Sequence, residues 1–158
     1  MATNRGKEFE KKTLEDFQRA FPRSFTARIP DQQSKYKGSS SNICDVLSFA
    51  KGRLYLCECK STNDSTFNFS KLRQYDLLLE HKDEEDVYPG VLLWFVQLDL
   101  IFWVPVSEIE KMKLDGKKSI HPKWYETGEY KLYKVPAKKM RTYFKCDLTF
   151  LSTLKKED

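Results

Sequence analysis

The chain has 158 residues, 28 Lys and Arg against 23 Asp and Glu, and a formal charge of +5. Apolar residues make up 40% and aromatics 14%, too rich for a disordered chain, and no apolar run nears the roughly 20 residues that span a bilayer. The opening MATNRGKEFEKK lacks the apolar centre of a signal peptide, so a single soluble cytoplasmic domain over 1–158 is expected, with no membrane partner.

Residues 5 to 21 read as an amphipathic helix. Phe9, Leu14, Phe17 and Phe21 recur near a 3.6 period, with charges between them. Thr3 or Asn4 can cap its start, Glu8 and Glu10 suit its first turns, and Pro22 stops it. PDQQSKYKGSSSN, 30 to 42, reads as a polar loop. ICDVLSF, 43 to 49, and LYLCECK, 54 to 60, read as the strands of a hairpin turning at Lys51-Gly52. After the polar STNDSTFNF comes a helix from about Lys71 to His81, with Ser70 as its cap. VLLWFVQ, 91 to 97, and LIFWVPV, 100 to 106, read as buried strands, the second ending at Pro105 or lying at an edge. The rest is a basic, aromatic tail of weak periodicity.

The charge is uneven. From Lys111 to Lys145, eleven Lys and Arg face three acids, a net +8 that leaves −3 for the remainder. Interleaved Trp124, Tyr125, Tyr130, Tyr133 and Tyr143 suit a polyanion-binding face; a solvated lysine-rich surface fits equally. The four cysteines, Cys44, Cys57, Cys59 and Cys146, form no CxxC pair, and His81 and His121 are not at ligand spacing, so they are expected as small buried hydrophobes.

Strand alternation puts Glu58 and Lys60 on one face and Cys57 and Cys59 on the other. A charged pair inside LYLCECK needs a partner or a cleft. The hairpin brings Asp45 opposite the region of Glu58, where opposed Cβ atoms lie about 4.5–5.5 Å apart. Two carboxylates that close repel unless a cation lies between them, and Mg²⁺ favours one or two carboxylates with waters and phosphate oxygens. Lys60 can then orient a water or offset developing charge on a phosphodiester. A surface hairpin with a cross-strand ion pair is the alternative reading of the same residues.

The order helix, Asp strand, E-x-K strand, helix resembles the PD-(D/E)xK nuclease core. Within it, the chain resembles the RecU-type Holliday junction resolvases of low-GC Gram-positive bacteria and their phages. The resemblance rests on NRGKEFE at 4 to 10, Asp45, CECK at 57 to 60, STNDSTFNFSKLRQYD at 61 to 76 and GKKSI at 116 to 120. It implies an α/β (α+β) fold, a central mixed sheet flanked by helices. It implies a metal-dependent structure-selective DNA endonuclease that resolves four-way junctions by paired nicks in recombination and repair. Other functions of such a core are a restriction- or repair-type nuclease and a non-cleaving recombination accessory protein.

On this resemblance Asp45 and Glu58 hold Mg²⁺, or Mn²⁺ in its place, with the Cys59 carbonyl, and Lys60 is the catalytic lysine. Glu10 faces the metal site, or is only a helix-surface acid. Gln74 sits at the cleft edge, or is only a solvated helix residue. Arg5 contacts phosphate, or pairs with a nearby acid. The family's projecting stalk is reduced to a short loop at about 28–42, with Lys35, Tyr36 and Lys37 at its tip. These three, with Lys117 and Lys118, are the remaining DNA-binding candidates. A two-fold homodimer suits a junction with two strands to cut, and no small-molecule cofactor is implied. For a phage-encoded copy, the compartment is the host cytoplasm.

Overall fold

The computed structural model describes residues 4–30 and 42–156. Helix α1 spans Arg5–Ala20. Its buried face is Phe9, Thr13, Asp16 and Phe17, spaced at helical period, whereas Leu14 is only half-buried. The Thr13 hydroxyl satisfies itself on the Phe9 carbonyl at 2.8 Å, one turn back, which lets a polar residue sit in that face. Asn4 occupies the cap position, but its side chain makes no capping bond; its carbonyl accepts from Glu8 N–H at 2.8 Å.

Three antiparallel strands follow: β1 (Phe25–Arg28), β2 (Val46–Ala50) and β3 (Arg53–Thr62). The β2–β3 turn falls on Lys51 and Gly52, both with positive φ, 50° and 76°. That is the twist-matched geometry of a two-residue hairpin, and Gly52 accepts it without strain. A short strand β4 (Phe67–Asn68) and a 3-10 turn, Phe69–Lys71, lead to helix α2 (Tyr75–Leu79). The helix expected from Lys71 to His81 is therefore shorter. The Asn68 side chain captures the Ser70 N–H at 2.9 Å and tightens the 3-10 turn, and Leu72 leaves helical geometry at φ −100°, ψ 81°.

Strand β5 (Val87–Phe95) starts earlier than its apolar run because it pairs in parallel with β3 from Leu54↔Val87 onward. Strand β6 (Leu100–Pro105) returns antiparallel. It ends at Pro105, which heads helix α3 (Val106–Leu114). The tail is folded: β7 (Ser119–Ile120), α4 (Trp124–Thr127), β8 (Tyr133–Lys134), β9 (Ala137–Lys139) and β10 (Phe144–Cys146).

The main sheet has the order β1-β2-β3-β5-β6-β8 and is mixed, β3–β5 being its parallel pair. Helix α1 covers one face, through Phe9 and Phe17 on Val46, Tyr55, Cys57, Cys59 and Leu92. On the other face Val91, Leu93, Phe102 and Val104 pack with Ile109 and Met112 of α3 and with Trp124 of α4. A smaller cluster of Cys44, Leu56, Leu78 and Val106 seats α2 beside them. The expected central mixed sheet flanked by helices is what is found. All four cysteines are free and buried, as expected. Burial pushes the Cys44 thiol up to about 12, so it stays neutral. No described helix is long and apolar enough to cross a membrane.

Candidate active site

Strand β3 alternates as its sequence dictates. Tyr55, Cys57 and Cys59 enter the α1 core, while Leu56 joins the cluster beneath α2. Glu58 and Lys60 share that second face. The register Val46↔Cys57 sets Asp45, the residue before β2, opposite Glu58. The backbone of Asp45 is held on both sides: its N–H donates to the Cys57 carbonyl at 3.1 Å, and its carbonyl accepts from Ile29 N–H at 2.8 Å. Its carboxylate Oδ2 accepts the main-chain N–H of Cys59 at 2.8 Å. Asp45 is thus fixed by the strand that carries Glu58.

Asp45 and Glu58 are both buried, with 9% and 1% of their surface exposed. Lys60 Nζ stands 3.4 Å from Glu58 Oε1, and a quarter of its side chain, 26%, reaches solvent. Glu58 Oε2 is buried with no partner in the protein. Burial, and then the adjacent charge and hydrogen bonding of Asp45, push the Glu58 carboxyl up to about 9, against the pull of Lys60. Two close carboxylates, one with an orphaned oxygen, and a lysine at the rim form a site short of positive charge. No group of three or more His, Cys, Asp or Glu side chains arranged to hold a metal occurs among the described residues. Two carboxylates and a main-chain carbonyl are nevertheless a donor set that a hard cation accepts, with waters completing the shell.

The other expected residues fall into distinct places. Glu10 Oε2 takes a forked contact from Arg28, at 3.0 Å from Nε and 2.7 Å from Nη2. Arg28 is registered with Val46, whose side chain packs beneath α1, so this pair belongs to the α1 side of the sheet. Arg5 Nη1 donates to Asn63 Oδ1 at 2.9 Å, joining the first helical residue to the residue just past β3. Gln74 precedes α2, over the same sheet face as Glu58, and its side-chain oxygen is buried without a protein partner. Lys117 pairs with Glu129 at 3.5 Å, while the carbonyl of the exposed Lys118 accepts from Phe69 N–H at 3.0 Å. Lys35, Tyr36 and Lys37 lie outside the described residues.

Arg28 and Asn63, the partners of Glu10 and Arg5, carry no local sequence signal. Arg28 lies in a four-residue strand, FTAR, too short to show alternation. Asn63 looked like ordinary loop polarity. Only the packing of α1 against both strands brings them to Glu10 and Arg5.

No protein-family model and no curated protein sequence matches the chain. Among solved structures, it is similar to Archaeoglobus fulgidus Hjc, a Holliday junction resolvase from an archaeal hyperthermophile. The TM-score is 0.57 at 17% identity, over 82% of this chain and 95% of that one. The chain therefore has an Hjc-like nuclease fold. In it Asp45 immediately precedes β2, and Glu58 and Lys60 lie on the neighbouring β3.

Proposed function

We propose that the protein is a metal-dependent, structure-selective DNA endonuclease that resolves Holliday junctions by paired nicks. The observation that carries this reading is the pair of buried carboxylates, Asp45 and Glu58, set opposite one another by the β2–β3 register with Lys60 at 3.4 Å from Glu58, on a sheet folded like that of a resolvase. Asp45, Glu58 and the Cys59 carbonyl would hold Mg²⁺ or Mn²⁺, and the orphaned Glu58 oxygen fits that role. Such a cation, when bound, supplies Lewis-acid polarisation of a phosphodiester and a more acidic water.

The chain's own residues supply the rest. The Cys59 N–H fixes the Asp45 carboxylate through its Oδ2. Lys60 is exposed enough for its ammonium to meet a phosphate oxygen or hold the attacking water. Gln74, whose side-chain oxygen is buried without a protein partner, would accept a hydrogen bond from that water. Glu10 and Arg28 form a charged pair at the α1 side that steadies the N-terminal strand. A two-fold homodimer would present two such sites to the two strands of a junction.

The test is cleavage of a synthetic four-way junction beside linear duplex, with Mg²⁺, for wild type and Glu58→Gln. Paired symmetric nicks in the junction, lost in the variant, are expected. Equal cutting of the plain duplex would overturn junction selectivity. Binding without any nicks would overturn the nuclease reading.

A further inference from the structure

The basic stretch seen in the sequence is not one surface. Lys111, Lys117 and Lys139 are ion-paired with Glu108, Glu129 and Asp99, at 2.9, 3.5 and 2.7 Å. Lys113 lies 3.9 Å from the centre of the Tyr75 ring. Each of these lysines has a neighbouring acid or ring to offset its charge at the surface. The β9–β10 hairpin differs. Lys138 stands directly opposite Lys145 in its register. Both are exposed, and neither has an acidic partner among the described residues.

Alternation explains which way they point. On β10 the flanking Phe144 and Cys146 face the body: Phe144 meets Trp94 edge-on at 5.7 Å, and Cys146 is buried beside Asp16. Lys138 and Lys145 therefore face outward on the same side. Arg141, at the turn closed by Met140 N–H to the Tyr143 carbonyl at 2.8 Å, is exposed as well. The hairpin is firmly mounted. Asp16 accepts the Cys146 N–H at 3.2 Å, and Lys12 of α1 lies 4.2 Å from the Tyr143 ring centre.

Like charges directly opposed across two strands destabilise a sheet. A rigid, outward pair of this kind, with a third cation at the turn, has the character of a surface completed by a polyanion. Resting on the nuclease reading above, we infer that the β9–β10 hairpin is a second DNA contact, gripping the phosphates of a duplex arm through Lys138, Lys145 and Arg141. It lies on the α1 side, away from the sheet face that carries Glu58, so it would hold an arm rather than the scissile bond.

The experiment is fluorescence anisotropy of a labelled four-way junction across a series of salt concentrations, for wild type, Lys138→Gln/Lys145→Gln and Lys138→Arg/Lys145→Arg. Each lost phosphate contact flattens the slope of log K against log salt by about 0.9, so the Gln pair should flatten it by about 1.8 and, by that relation, weaken binding about sixtyfold near 0.1 M salt. The Arg pair should keep the wild-type slope. Without DNA, the Gln pair should melt at or above the wild-type temperature, because the opposed charges are gone. Single Lys145→Gln should show about half the change in slope, which guards against a folding defect in the double variant. Wild-type affinity and slope in the Gln pair would overturn the inference. Absence of DNA binding by the wild type would instead overturn the nuclease reading beneath it.

Discussion

The main-chain N–H of Cys59 donates to Asp45 Oδ2 at 2.8 Å, so the middle residue of E-x-K anchors the first acid of the site. Asp45→Asn keeps an acceptor for that N–H and removes the repulsion with Glu58. Asp45→Ala leaves the N–H buried and unpaired. The alanine variant should be less stable than the asparagine variant by about 1–3 kcal/mol, measured by urea denaturation without metal. Both should lose junction cleavage. An asparagine variant that still cuts at the wild-type rate would remove Asp45 from the chemistry.

Lys60 stands 3.4 Å from Glu58, reaches solvent, and lies beyond the buried segment of β3. Lys60→Ala should lower the cleavage rate about a hundredfold or more, while DNA binding stays close to wild type. Single-turnover nicking at saturating enzyme, beside a binding titration, separates the two effects. A variant cutting at the wild-type rate would refute the assignment.

Asp16 is buried, and its carboxyl takes the Cys146 N–H and the Arg19 guanidinium. Burial outweighs both partners and holds its pKa above the ordinary carboxylate value of 3.8. An acid with a raised native pKa binds its proton more tightly when folded. Its contribution to stability is present at low pH and lost as pH rises through the raised value. Asp16→Asn removes that titration. Thermal midpoints between pH 4 and pH 8 should show the variant gaining on wild type as pH rises; parallel curves would contradict the shift.

Gly90 lies in β5 against the indole of Trp103, and a Cβ there would come within 2.4 Å of Trp103 Cζ2. Trp103 is 2% exposed and has little room to move. Gly90→Ala should destabilise the protein by about 1–3 kcal/mol through overpacking, read as a lower urea midpoint. A paired Trp103→Phe should recover part of the loss.

The sequence carried some of this plainly. α1 was visible in the spacing of Phe9 and Phe17, and the β2–β3 hairpin in its alternation and in Lys51-Gly52. The same alternation placed Asp45, Glu58 and Lys60 together. Other features had no local signal. The parallel pairing of β3 with β5 joins segments far apart in the chain, and apolar runs such as VLLWF do not declare their neighbours. α2 is short because the chain leaves helical geometry at Leu72, after the 3-10 turn that Asn68 caps, a backbone break with no local sequence signal. The tail showed weak periodicity because its strands are two or three residues long and depend on their partners.

The parallel ladder also sets an order of events. Strands β2 and β3 are neighbours in sequence and close through a two-residue turn, so their pairing is entropically cheap. Glu58↔Val91 and Lys60↔Leu93 require a loop of some thirty residues to close first. Until β5 docks, the Glu58 side of β3 has only half of its walls. The carboxylates would stay wet, and so close to their ordinary acidity. The perturbed acid is thus a property of the completed sheet and not of the hairpin that carries it.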